Sequence, residues 1–234
     1  MKLNQSRQIV IIISANSEWK ALVNILSPSK ESILYSPYGQ YFVANNNYKD
    51  TIPFELLFFQ GGWGKIDAAA SAQWVIKEIN PQIVFNLGTA GGFLNRANVG
   101  EIIYVTRTII YDIVERMGSM EEALNYYTTE LDTMPKSLVG YATPSPMISA
   151  DQDIDPQNIN KLMQSFDAVA ADWESGSIAH ICKKNGIKII ILKIISDVVD
   201  HSGSRTYENL KDFERKAESL MPNLLKILEK YLLN

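Results

Sequence analysis

The chain has 234 residues, 46% hydrophobic and 21% charged, with a formal net charge of −4. That supports one sizeable core and a single domain, while the mild acidity and lack of a basic block exclude nucleic acid or an anionic membrane as the expected partner. One cysteine, Cys182, excludes an intrachain disulfide, and with only His180 and His201 beside it no metal site is expected.

In chain order, short Ile/Val/Phe-rich runs predict strands at 8–14, 55–60, 82–88, 101–113 and 188–196. Such continuous apolar runs suit a mainly parallel sheet covered on both faces. The polar stretch 27–54, with "NNN" at 45–47, reads as a hairpin or irregular excursion. A helix of small apolar residues is predicted from Lys65 to Ile79, ended by Asn80-Pro81. The stretch 114–147 reads as a long irregular region. A second helix is expected over 175–184, stopped by Asn185-Gly186. A long amphipathic helix starts near Thr206, with Pro222 expected to kink or split it. The run "IVIII" (9–13) is too short for a secretory or spanning segment, and a cytoplasmic location is expected. The simplest architecture is one three-layer α/β/α domain with a central mixed sheet.

Ligands of open α/β sheets gather beyond the carboxyl ends of the strands. The segments that follow the strands are "SANSEW" (14–19), "QGGWGK" (60–65), "GTAGGF" (88–93), "AADWESGS" (170–177) and Ser196-Asp197. Three carboxylates and two glycine turns thus converge on one edge. Neither "GGWGK" nor "GTAGG" matches a P-loop or a dinucleotide fingerprint, and each alone reads as a tight strand-to-helix turn.

Together, "GGWGKIDAAASAQWVI" (61–76), "VFNLGTAGGF" (84–93), "VGEIIYV" (99–105), "ISADQDI" (148–154), "ADWESGSIAH" (171–180) and "IISDVVD" (194–200) resemble the nucleoside phosphorylase/nucleosidase superfamily. The branch most resembled is the 5′-methylthioadenosine/S-adenosylhomocysteine nucleosidases. The resemblance implies a purine nucleoside phosphorylase-like fold, a homodimer and no cofactor. It implies Asp197 as the general acid to purine N7, with Ser196 steadying it. It implies Glu174 as acceptor for the ribose hydroxyls, Trp173 packed under the sugar, and Thr89, Ala90 and Gly91 as the loop beside ribose and water. Residues 152–154, including Asp153 and Ile154, correspond to a strand edge that reads the base.

An acid near the base and a carboxylate near the sugar suit cleavage of an N-glycosidic bond through an oxocarbenium-like state. Related phosphorylases hold phosphate with an arginine before the Gly-Ser/Thr turn. Here Asn86 and Leu87 precede Gly88, which favours water as nucleophile, although Lys20 or Lys65 could partly substitute.

Two positions depart from the pattern. The family's water-activating Glu falls on Trp19, so Glu18, one place early, is the candidate base if a small bulge turns it inward. Asp153 stands where the family often stacks an aromatic, and would instead accept hydrogens from the base. Trp19, Trp63 and Trp173 add aromatic content near the site. The stretches 111–118 and 125–132 are expected to form pocket wall or dimer contact. Phosphate-dependent phosphorolysis and non-catalytic nucleoside binding remain the alternatives.

Overall fold

The computed structural model describes residues 8–44, 55–204, 206–207 and 209–233. Its elements are β1 (Gln8–Ile13), α1 (Asn16–Leu26), β2 (Leu34–Tyr35), β3 (Gln40–Val43), β4 (Glu55–Gln60), α2 (Gly64–Trp74), β5 (Ile83–Phe93), β6 (Ile102–Ile110), α3 (Met120–Tyr126), β7 (Thr128–Glu130), β8 (Thr143–Ser149), α4 (Ile159–Phe166), β9 (Ala170–Asp172), α5 (Ser175–Lys184), β10 (Lys188–Val199) and α6 (Leu210–Leu232).

The sheet is mixed and curls on itself. β5 runs parallel to β1 along its first half and to β10 along its length, and its far end pairs antiparallel with β9. β10, β6, β8, β9 and β5 therefore close a ring, from which β1, β4, β3 and β2 extend. Alternation along the buried strands sends side chains to two layers. Ile9, Ile11 and Ile13 of β1 join Leu22 of α1 and Met221, Leu224 and Leu228 of α6 in one cluster. Val10 and Ile12 join Ala68 and Ala72 of α2 and Ile178, Ala179 and Cys182 of α5 in the other. This is the expected three-layer α/β/α arrangement.

The helix predicted from Lys65 is α2, which continues as a wider π-turn over Val75–Ile79 and stops at Asn80 in the left-handed conformation. The helix predicted over 175–184 is α5, and Gly186 takes a φ of +66° after it. β2 and β3 form the hairpin expected early in 27–54, whereas "NNN" lies outside the described residues.

Several expectations are corrected. The stretch 114–147 is not irregular throughout. It holds α3, β7 and the start of β8. Pro144 and Pro146 disguise β8 as a loop, and they are tolerated because β9 pairs with it only from Met147 onward. "GTAGG" is not a turn but the second half of β5. Pro222 does not split α6, since Met221, Leu224 and Leu225 around it are buried and packing outweighs the missing hydrogen bond.

Candidate active site

A cavity of about 980 Å³ opens where β1, β5, β9 and β10 end. The ten residues assigned site roles in the sequence line it: Glu18, Thr89, Ala90, Gly91, Asp153, Ile154, Trp173, Glu174, Ser196 and Asp197.

Glu18 lies in the first turn of α1, with no intervening bulge, and is 3% exposed. Its Oε1 accepts from the Thr89 backbone N–H at 2.5 Å and from Thr89 Oγ1 at 2.6 Å. This close approach depends on Gly88. A Cβ there would stand 2.6 Å from Glu18 Oε2, which only glycine avoids. Trp19, one residue on, turns into the core instead. Its ring packs on Phe42 and its Nε1 donates to Gln40 Oε1 at 3.3 Å. Trp19 is therefore not a site aromatic.

Asp197 reaches the cavity through an irregularity in β10. Ile195 pairs with Ala90 and Asp197 with Gly91, so Ser196 is an extra residue on this strand. Such a bulge breaks the alternation of faces and lets two successive side chains line the cavity. Ser196 Oγ donates to Asp197 Oδ1 at 2.6 Å. Oδ2 accepts from Thr206 Oγ1 at 2.9 Å and from Ser204 Oγ.

Glu174 precedes α5, and its Oε1 accepts from the Gly64 N–H at 3.0 Å. Trp173 stacks on Trp63, with ring centres 5.1 Å apart, and its Nε1 donates to Asp153 Oδ1 at 3.3 Å. Residues 152–154 form no strand edge. They belong to the loop beyond β8, where Ile154 is buried and its carbonyl accepts from Tyr207 Oη at 2.7 Å. The stretches 111–118 and 125–132 contribute nothing to the cavity wall.

Lys193 and Asp172 were not singled out by sequence reasoning. Lys193 is 2% exposed in the middle of β10, and its Nζ pairs with Asp172 Oδ2 at 3.0 Å. Asp172 also accepts from Ser149 Oγ at 2.6 Å. The signal was present: a lysine inside the run "KIIILKIIS" must find a buried partner or be very costly.

These charges tune one another. Burial raises the Glu18 carboxyl, while the Lys193 charge and the Thr89 hydrogen bonds pull it back down. Burial, and then the Asp172 charge, push Glu174 up to about 8, against Lys193 and the Gly64 N–H. Burial works to lower Lys193, but Asp172, Glu18 and Glu174 outweigh it and hold the ammonium above its ordinary value. Among the described residues, no arginine lines the cavity. Lys20 does, with Glu214 at 3.8 Å, while Lys65 lies outside it, paired with Asp112 at 2.5 Å.

The fold and this cluster of buried carboxylates define an α/β protein with a site suited to acid–base cleavage of a sugar–base bond. Residues 54–232 match the phosphorylase superfamily, and the chain belongs to that family. A 5′-methylthioadenosine/S-adenosylhomocysteine nucleosidase of Maridesulfovibrio salexigens is 27% identical, the match covering 95% of this chain and 99% of that one. The enzyme of that name from Staphylococcus epidermidis is 24% identical over 80% of this chain and 85% of its own length. Among solved structures, the apo 5′-methylthioadenosine nucleosidase of Arabidopsis thaliana superposes with a TM-score of 0.79 at 19% identity, covering 97% of this chain and 96% of that one. The futalosine hydrolase of Helicobacter pylori gives 0.77 at 16% identity, with coverages of 96% and 98%.

Proposed function

We propose that the protein is a nucleosidase that hydrolyses the N-glycosidic bond of an adenosine-like (thio)nucleoside, such as 5′-methylthioadenosine or S-adenosylhomocysteine. The observation that carries this reading is the meeting of Glu18, Glu174 and Asp197 in one cavity around Thr89–Gly91.

In this reading Asp197, held by Ser196, gives its proton to N7 of the purine. The C1′–N9 electron pair leaves with the base, which departs neutral, and the sugar passes through an oxocarbenium-like state. Glu174 accepts hydrogen bonds from the ribose hydroxyls. Water attacks C1′ and loses its proton to the Glu18 carboxylate. Thr89 orients that carboxylate through two hydrogen bonds. Desolvation makes Glu18 a stronger base than a carboxylate in water, and Lys193 keeps its ionised form accessible. Among the described residues the cavity offers phosphate no guanidinium clamp, which favours water as the nucleophile.

The test is release of free base from methylthioadenosine, S-adenosylhomocysteine, adenosine and inosine, with and without phosphate, followed by chromatography. Phosphate-independent release is expected, with Asp197→Asn lowering kcat by about 10²–10⁴-fold. Release that requires phosphate would make the protein a phosphorylase. Nucleoside binding without release would make it a binding protein.

A further inference from the structure

The turn 61–65 contributes Trp63 to the cavity rim, yet its strongest contacts are to other site segments. Trp63, at the N-cap of α2, offers no side-chain cap. The first helical N–H groups of α2 therefore need partners from elsewhere. Gly64 N–H is taken by Glu174 Oε1 at 3.0 Å, and Lys65 N–H by Asp151 Oδ1 at 2.7 Å. Both acceptors are carboxylates, which the positive end of a helix favours. Gly64 has a φ of +81°, and a Cβ on it would stand 3.0 Å from Asp151 Oδ1. The Trp63 ring stacks on Trp173, next to Glu174.

Lys65 then fastens the turn from its other side. Its Nζ is 2.5 Å from Asp112 and 3.8 Å from Asp151. Asp112 Oδ2 also accepts from the Asp151 N–H at 3.2 Å. The Lys65 and Asp112 side chains are about one-fifth exposed, so the pair is shielded from solvent more than a surface ion pair. Asp151 opens the loop that carries Asp153 and Ile154 into the cavity.

We infer that the turn 61–65 is a clamp that fixes the spacing between the ribose carboxylate Glu174 and the base-side loop 151–154, with Lys65 as its positioning residue. This rests on the nucleosidase reading for the identity of the ligand, but the clamp itself is read from binding. Lys65 lies outside the cavity, and acts through Asp151 and the N-terminus of α2.

The experiment compares Lys65→Met, Lys65→Arg and Asp112→Asn with the wild type. It measures kcat and KM for methylthioadenosine, the Kd of an adenosine C-nucleoside whose carbon-linked base cannot be cleaved, and the melting temperature. The clamp predicts KM and Kd about tenfold higher in Lys65→Met and Asp112→Asn, with kcat within about threefold of wild type. Lys65→Arg, which keeps the cation, recovers most of the affinity. Unchanged KM and Kd in a folded Lys65→Met overturn the inference. So does a loss shared equally by Lys65→Arg and matched only by a fall in melting temperature, because that is a purely structural role. A wild type that binds the C-nucleoside but releases no base refutes the nucleosidase reading and leaves the clamp to be judged on the Kd ratios. A wild type that binds no nucleoside overturns both.

Discussion

Glu174→Gln separates the electrostatics of the buried cluster from its packing. Glu174 is 6% exposed, and its carboxyl is raised from 4.5 to about 8, chiefly by burial and then by the Asp172 charge. The folded protein therefore holds the Glu174 proton more tightly than the unfolded chain does. The resulting stabilisation is complete below about pH 4.5 and is lost as the pH rises through about 8. At about 1.36 kcal/mol per pH unit, the full swing is roughly 5 kcal/mol. Glutamine has nearly the same shape and can still accept the Gly64 N–H, but it never ionises. At pH 5 the two proteins should melt alike. At pH 9 the variant should melt higher, by roughly 2–4 °C for each kcal/mol recovered. Glu18, also raised, is present in both proteins, and its charge is a minor one of the causes that raise Glu174. The assay is thermal unfolding by circular dichroism at pH 5, 7 and 9 and constant ionic strength. A variant that melts below wild type by the same margin at every pH would refute the reasoning.

Three further outcomes are expected. Gly88→Ala sets a methyl 2.6 Å from Glu18 Oε2, so the carboxylate must shift; kcat should fall by about tenfold or more while KM changes little. Lys193→Met leaves Asp172, Glu18 and Glu174 without their shared cation and should cost about 3–5 kcal/mol in urea unfolding at pH 8. That loss should shrink at pH 5, where Glu174, raised to about 8, is protonated. Trp19→Ala should destabilise by about 3–5 kcal/mol, the range for emptying a buried aromatic position, and so confirm by calorimetry that this tryptophan belongs to the core.

The parts of the fold legible in the sequence are those where one local rule acts alone. β1 and β4 are apolar runs, β10 is one interrupted by Lys193, and α5 ends at an Asn-Gly pair suited to stop a helix. The parts missed are those where tertiary context reverses a local rule. Prolines hide β8, whose free side toward β9 makes them harmless. Three glycines and a threonine make the second half of β5 look like a turn. They are needed because other groups press against that strand: Glu18 at Gly88, Ile154 at Gly91, and Ile195 and Ala97 at Gly92. α1 was overlooked because its first turn was read only as a source of site residues.

The site shows the same division. Glu18 and Glu174 follow strands and Asp197 lies near the end of β10, where ligands collect, and the family resemblance supplies their expected roles. Lys193 is hidden in the middle of a run dominated by isoleucine, far from the strand's end. Yet one cation among Asp172, Glu18 and Glu174 decides how much negative charge the cavity can hold at neutral pH. Lys193 is paired with Asp172, so its charge only partly offsets the burial and the Asp172 charge that raise Glu174. A sugar whose hydroxyls hydrogen-bond to Glu174 stabilises the ionised carboxylate and so lowers its pKa. Nucleoside binding should therefore release protons near pH 7, and calorimetry in buffers of different ionisation enthalpy would measure that release. Zero proton exchange on binding would mean that Glu174 is already ionised in the free protein, and that Lys193 compensates it more fully than the burial of the pair implies.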